Sequence, residues 1–456
     1  MKTIKYIALF FLLTFFTTAY TQSARDAVRI LENEIGLGTR ALGMGGAYVG
    51  LADDYSAIYW NPAGLAAVKH SQFVGEVSHL NFNNTATFSN EVTDQSQNYT
   101  RLRSLGMAFP LPTLRGSLVF ALGYNRVKDF DQNLQFSGFN PRSNGLVFNI
   151  NDEPFEFDEN VYQFERVVDE GGLNQWSLGA GIALSPNFTA GATATIWDGD
   201  DDYEFTFFQE DRNNIYDGTP GTMNYHSYQL NRAIQADYEA FGLKLGGMFE
   251  LANGLKLGTA IQFPVTFTVH ETFAENDLLV FDDGFEDPFE YPTNEFEYKV
   301  KTPFQFDGGA SFNSRLLTLS GDVRYRDWSQ TKFDVPDEFL ADQDYVELLE
   351  ENKVIRTNYR ATLQYNLGGE IFLPGLRSKL RGGYAVFPTP FEDASDEMDK
   401  KYFTGGISFL IDRYVSLDFA YLRGSWKQES EDDLTPGGTF EDITTNKVLV
   451  GLVYKF

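Results

Sequence analysis

The sequence contains no cysteine. That absence excludes disulfides, thiolate metal sites and a thiol nucleophile, and it leaves no cysteine for lipid attachment behind a leader. Histidine is nearly as scarce. The four residues at 70, 79, 226 and 270 stand at no metal-ligand spacing, and no Ser/His/Asp pattern accompanies them. No metal, no cofactor and no enzymatic chemistry are therefore expected, an outer-membrane hydrolase included. Basic residues are few: 36 Lys and Arg stand against 64 Asp and Glu, a formal charge of −28. Nucleic acid is not a partner for such a chain. Beyond the N-terminal leader there is also no apolar run of the roughly 18 residues that a spanning helix requires.

The leader is Met1, Lys2 and Lys5 followed by YIALFFLLTFF and then small, polar residues. It reads as a cleaved signal peptide over residues 1–22, with cleavage between Ala19 and Ala24. Aromatic residues are plentiful, with 42 Phe and 24 Tyr, or 16% of the chain together with Trp. An exported, aromatic-rich chain without spanning helices is either a secreted β protein or an outer-membrane β-barrel of a Gram-negative cell.

Periodicity separates the two. Over residues 254–270 the odd positions run Leu255, Leu257, Thr259, Ile261, Phe263, Val265, Phe267, Val269, and the even ones are mostly polar or small. Residues 353–367 repeat the pattern, with Ile355, Tyr359, Leu363, Tyr365 and Leu367 on one face and Arg356, Asn358, Arg360 and Gln364 on the other. Strands of soluble sandwiches average about 5–6 residues, so such long runs fit tilted membrane strands. Alternating segments fall near 71–82, 101–110, 116–130, 174–184, 187–208, 226–251, 254–274, 295–312, 316–335, 353–372, 376–388, 399–411, 413–428 and 444–456. That even count is the one a single-chain barrel requires. Every second connection is tight (LPTLRG, SPN, ANG, NSR, LPGLRS, IDRY), while the others are long and acidic, as in residues 282–292, 336–351 and 429–442. Short periplasmic turns and long extracellular loops have this asymmetry, and the acidic loops would suit a protein partner or divalent-ion bridging to lipopolysaccharide. The expected fold is all-β: a 14-stranded antiparallel transmembrane barrel over residues 71–456, with a bulge near Phe241 and Gly242. Its last strand ends on Phe456, a terminal aromatic of the kind read by the barrel-assembly machinery.

Residues 23–70 do not alternate, so they are not wall. Glycines at 36, 38, 43, 45, 46 and 50 permit tight packing, and Asn61-Pro62 initiates a turn. This segment is expected to fold back into the lumen as a plug. The match of GLGTRA to a dinucleotide fingerprint has no βαβ unit around it. Asp53 and Asp54 read as plug residues in solvent or in ion pairs, not as a catalytic or metal-binding pair.

The run GTRALGMGGAYVGLADDYSAIYWNPAGLA (38–66) resembles the hatch of FadL-type outer-membrane transporters of long-chain fatty acids and other hydrophobic compounds. Its carriers are Arg40, Gly43, Gly45, Gly46, Asp53, Asp54, Trp60 and the Asn61-Pro62-Ala63 triplet, which sits where that family has its NPA motif. The resemblance implies a barrel closed by a hatch, a ligand pocket within the wall, and lateral release through an inward kink in the third strand. It also implies a monomer with a fatty-acid-like ligand. In this sequence the third segment offers Gly116, Val119, Ala121 and Gly123 as a small, apolar inward face, suited to a kink or to packing against the hatch. A second reading comes from relatives that resemble PorV, a cargo-shuttle subunit of a secretion machine, whose hatch shares the Asn-Pro-Ala element.

With the apolar face turned to lipid, strands 8 to 11 point Lys299, Lys301, Arg324, Arg326, Arg356, Arg360, Lys379 and Arg381 inward. Such a cationic sector in an acidic protein either attracts an anionic headgroup or pairs with Asp307, Asp322 and the plug acids Asp53 and Asp54. The pairing reading is the preferred one.

Overall fold

The computed structural model describes residues 22–32, 35–150, 153–217, 223–340 and 342–456. All of the expected signal peptide except Gln22 lies outside them. Fourteen antiparallel strands make the wall. They are β1 (Gln72–Phe88), β2 (Glu91–Leu111), β3 (Leu118–Asp129, resuming as Gln132–Asn140), β4 (Val161–Ser185), β5 (Phe188–Glu210) and β6 (Tyr225–Glu250). β7 (Leu255–Gln262 and Thr266–Phe281) and β8 (Asn294–Lys301 and Gln305–Asn313) are each interrupted. β9 (Leu317–Asp327), β10 (Ala361–Leu373), β11 (Ser378–Phe387), β12 (Lys400–Leu410), β13 (Val415–Ser430) and β14 (Thr439–Lys455) complete the circuit. β14 pairs with β1 from Lys455–Gln72 to Phe440–Thr87, which closes the barrel. Each alternating segment of the sequence overlaps one of these strands.

Closure follows from the solvent. Lipid offers no partner to a backbone N–H or C=O, so the ladder must be complete wherever the wall meets hydrocarbon. On β10, Leu363, Tyr365, Leu367 and Ile371 are exposed outward, while Gln364, Asn366 and Glu370 are buried inward. The wall is uneven in height. β4, β5 and β6 have 25, 23 and 26 residues, against 13, 10 and 11 in β10, β11 and β12. The large lipid-facing residues of β4 run from Trp176 to Leu184, so its first half rises above the apolar band.

Three details depart from the sequence reading. The irregularity expected at Phe241 and Gly242 lies in the facing strand: β6 is continuous, and β7 breaks at residues 263–265, where Pro264 has no N–H to give the ladder. Pro303 breaks β8 at the same level, and the break shifts the alternation by one residue. Tyr298 and Val300 are therefore the buried residues above it, and Lys299 is exposed on the outside. The third departure is residues 353–358, which belong to a helix (Gln343–Asn358), not to β10. Leu348, Asn352 and Ile355 are buried at helical spacing, and Asn352 bonds both the N–H and the C=O of Phe333. A period of two and one of 3.6 coincide over so short a run.

Short helices α1 (Ala24–Arg29), α2 (Thr39–Gly43) and α3 (Ala57–Trp60), then a 3₁₀ turn (Pro62–Ala67), carry the N-terminal segment before β1; the long helix between β9 and β10 is α4. Most side chains from Gly36 to Ala66 are buried. The wall makes room for them with glycine: a Cβ at Gly191, Gly246, Gly258, Gly368 or Gly383 would come within 2.3 Å of Pro62, Asn61, Val49, Met44 or Gly45 respectively. Those positions span β5 to β11, so the segment is ringed by the wall. Replacing Gly191 with Val should lower unfolding stability in micelles by about 1–3 kcal/mol through overpacking. Gly382→Ala, which finds only a 4.0 Å contact, should stay within about 0.5 kcal/mol of the parent.

Candidate functional site

The Asn61-Pro62-Ala63 turn is a fixed joint. Asn61 has no exposure; its Nδ2 donates to the carbonyls of Val49 (3.0 Å) and of Gly247 on β6 (3.1 Å), and its Oδ1 accepts from Ala63 N–H at 3.2 Å. Pro62 starts the 3₁₀ turn, where no N–H is needed. Trp60 donates its indole N–H to Leu37 C=O at 2.8 Å, and the Arg324 guanidinium lies 5.8 Å from its ring. Gly45 and Gly46 both have positive φ just after α2. Asn366 of β10 holds the Gly45 carbonyl at 2.8 Å, and Gly43 faces Gly406 of β12.

The strongest tie between segment and wall is an ion network around Glu370 of β10, a residue the sequence reading did not single out. Arg40 binds Glu370 through two nitrogens, at 3.0 and 3.1 Å. The same carboxylate takes Lys379 at 2.8 Å and Arg381 at 2.7 Å, and Arg381 continues to Asp418 at 3.0 Å and to Ser408. The far nitrogen of Arg40 reaches Tyr48 Oη at 2.8 Å and the Asp53 carboxylate, with Asp54 at 3.6 Å. Asp54 also accepts from Tyr48 Oη (2.6 Å), Ser56 N–H (2.9 Å) and Ser56 Oγ (2.6 Å) at the start of α3. The N-terminal segment and the wall are thus joined by a segment cation on a wall acid, the reverse of the polarity expected. Burial alone would push the Asp53 carboxyl up, but Arg40 and then Lys379 outweigh it and hold it below its ordinary value.

The other expected cations are mostly engaged too. Arg324 pairs with Asp307 at 2.8 Å. Arg326 donates to Leu31 C=O at 2.9 Å and to Gln305, and stacks 4.7 Å from Trp328. Asp322 turns its carboxylate to the N–H groups of Val49 (2.6 Å) and Gly50 (3.5 Å). Arg356 is exposed on α4, far from an inward wall position. Arg360 precedes β10 and donates to Thr389 C=O at 3.4 Å.

A seam opens in the wall between β2 and β3. β2 and β3 pair only from Ser104–Asn125 to Leu111–Leu118. Beyond that a bulge follows Arg126, the strand stops at Asp129, and Phe130 donates its N–H to Gly171 of β4 at 3.0 Å. The resumed half, Gln132–Asn140, pairs with β4 alone and packs inward against β1, with the Phe136 ring 4.7 Å from Phe88. Side chains bridge the seam in place of a ladder: Arg101 to Asp131 (3.0 Å), Arg103 to Asp129 (3.0 Å), and Asn133 to Gln97 (2.7 Å). Asp129 is further neutralised by Arg126 and Lys447, each at 2.7 Å. The break is not at Gly116–Gly123 as the sequence suggested. Gly116 lies in the turn before β3, Val119 and Ala121 are fully buried, and a Cβ at Gly123 would sit 2.0 Å from Tyr55 Oη. That stretch packs against the N-terminal segment.

Behind the seam is a cavity of about 910 Å³. Its lining includes the apolar Leu80, Phe82, Leu422, Trp426 and Ile443 from β1, β13 and β14, and the charged Arg29, Arg103, Lys128, Asp129 and Asp169.

No protein-family model and no curated protein matches this sequence. Solved structures do. The Pseudomonas putida toluene transporter TodX superposes with a TM-score of 0.58 at 13% identity, covering 93% of this chain and 99% of its own. The Ralstonia pickettii toluene transporter TbuX gives 0.54 at 15% (93% and 99%), and a Pseudomonas aeruginosa FadL homologue 0.55 at 13% (93% and 98%). The chain shares their fold. The first two are described as toluene transporters and the third as a FadL homologue, and the 14-stranded barrel that the FadL-type resemblance implied is the one found.

Glu370→Gln would leave Arg40, Lys379 and Arg381 facing a neutral group, a loss of about 3 kcal/mol for a buried partner. Trypsin should then cleave between residues 23 and 70 while the barrel still resists heat in SDS. Because the folded Asp53 carboxyl titrates below its unfolded value, its contribution is present above the ordinary carboxylate pKa and lost as pH falls through the lower folded value. An acid-stable protease should reproduce the same cleavage in the parent protein at low pH, and not at pH 7.

Proposed function

We propose that the protein is an outer-membrane channel for passive uptake of hydrophobic small molecules, long-chain fatty acids or similar compounds, with residues 23–70 as its hatch. The observation that carries this is the seam. A partly apolar cavity lies directly behind the place where β2 and β3 give up their ladder, so a ligand held there has a route sideways through the wall at the outer edge of the apolar band. A cargo shuttle would need neither cavity nor seam. TodX and TbuX are described as toluene transporters, in keeping with a neutral or amphipathic substrate.

In this reading the basic residues of β9 to β11 are structural. Arg324, Arg326 and Arg381 hold the hatch and its supporting acids, which leaves no carboxylate-free cluster of them for a headgroup. The hatch stays in place through Arg40–Glu370 and the Asn61 joint, and the ligand bypasses it through the wall. No bond is made or broken in the substrate.

The chain has no cysteine, so an engineered pair is unambiguous. Gln97→Cys with Asn133→Cys, joined by a short bis-methanethiosulfonate, should stop uptake of radiolabelled oleate and toluene in cells lacking their own transporter, and reductant should restore it. Uptake at the parental rate with the seam crosslinked would sink the lateral route. Mass spectrometry of the purified protein should find a co-purified apolar ligand.

A further inference from the structure

The hairpin between β13 and β14 does more than connect them. Ser430 and Thr439 are paired, so two residues could join the strands, yet eight intervene, Glu431–Gly438. They leave the hairpin and dock on the far side of the seam. Leu434 C=O accepts from Gln163 of β4 (2.9 Å) and from Asn144 (3.0 Å), and Pro436 C=O accepts from Asn140, the last residue of β3 (3.2 Å). Thr435 is 1% exposed and donates to Glu165 of β4 at 3.3 Å. Leu434 packs onto the upper aromatic cluster that includes Phe157, Phe207 and Tyr225.

The docking surface is built to receive it. Asn140 and Gln163 are essentially unexposed and bond each other at 2.9 Å, and Gln163 continues to Gln209 at 3.0 Å. The loop is pre-shaped for the task. Asp432 Oδ1 accepts from Leu434 N–H (2.7 Å) and Thr435 N–H (2.8 Å), and Gly437 and Gly438 turn the chain back at φ +99° and +59°. A Cβ at Gly437 would sit 2.0 Å from the Arg142 guanidinium.

What this loop restrains is a strand with a competing partner. Along the seam, β2 from Glu91 to Arg103 has no ladder on its β3 side, and Gln132–Asn140 has none on its β2 side. Two such edges are a template for pairing. We propose that Glu431–Gly438 is a strap that pins the upper half of β3 inward, and that its release lets this half zip onto β2 and close the seam. The inference rests on the seam being the exit route, and it identifies the element that keeps that route open.

The test replaces Glu431–Gly438 by Asn-Gly, a two-residue turn matching the Ser430–Thr439 pair, in the full-length protein in lipid nanodiscs. Amide hydrogen exchange is followed by mass spectrometry over 91–103 and 132–140. A strap that holds the seam open requires exchange in both stretches to slow without it. Unchanged or faster exchange overturns the proposal, because loss of a merely structural contact loosens its surroundings. Gly437→Val, a milder disturbance of the same turn, should act in the same direction to a smaller extent and serves if the shortened hairpin does not fold. Uptake separates the two readings. Slower exchange with several-fold weaker oleate uptake supports both, and slower exchange with undiminished uptake keeps the strap and removes the seam as exit.

Discussion

A backbone N–H or C=O in hydrocarbon has nothing to bond except another strand, and most of this structure is a response to that constraint. It fixes closure through the β14–β1 ladder, the even strand number and the outward apolar face. It also explains why the breaks in β7 and β8 stand side by side. Pro264 and Pro303 cannot donate, and pairing resumes beyond them in both directions: Gln262 opposite Gln305 on one side, Thr266 opposite Lys301 on the other. Between the two, Thr302 and Val265 satisfy each other through backbone and hydroxyl bonds of 2.9 to 3.1 Å.

Inside the wall the constraint is volume, not solvent. A lumen ringed by fourteen strands is too wide for wall side chains to fill, and the N-terminal segment occupies it with glycine facing glycine or backbone. The polar joints then set position. Buried ion pairs are poor sources of net stability, since desolvation offsets much of their attraction. Their geometry is exacting, however. A two-nitrogen contact of Arg40 with a carboxylate already shared by Lys379 and Arg381 leaves the segment one seat in the lumen.

The architecture was legible because it repeats. Lipid on one side and lumen on the other write a period of two into every strand, and turn residues mark its ends. The Asn61-Pro62-Ala63 joint was legible as a local signal. Pairings across the lumen were not, because nothing in the neighbourhood of Glu370 says that its partner is Arg40, 330 positions away. The same limit misplaced the break in β3. Gly116 and Gly123 look like kink residues along the strand, but the space Gly123 leaves is filled by Tyr55, from another part of the chain. At Phe130 and Asp131 the break is met by side chains of β2 and β14 that converge on Asp129 and Asp131. Arg356 was lost for a different reason: its helix carries Leu348, Asn352 and Ile355 inward, and a six-residue overlap cannot distinguish that from alternation.

The position of the seam follows from the unequal heights of the wall. A gap between two strands exposes one edge of each, and it is tolerable only where the other edges stay paired. β2 keeps its ladder to β1 as far as Phe88–Glu91, and the displaced half of β3 keeps its ladder to β4 from Gln132–Asp169 to Asn140–Val161. That second ladder exists only because β4 has 25 residues. Beside a strand of 10 or 11 residues, as in β11 and β12, a displaced half-strand would have no partner on either side. The tall strands β4 to β6 thus carry the cost of the opening for the rest of the barrel. The cluster of Arg101, Arg103, Arg126 and Lys447 around Asp129 and Asp131 supplies the polar contacts that the missing ladder would have made.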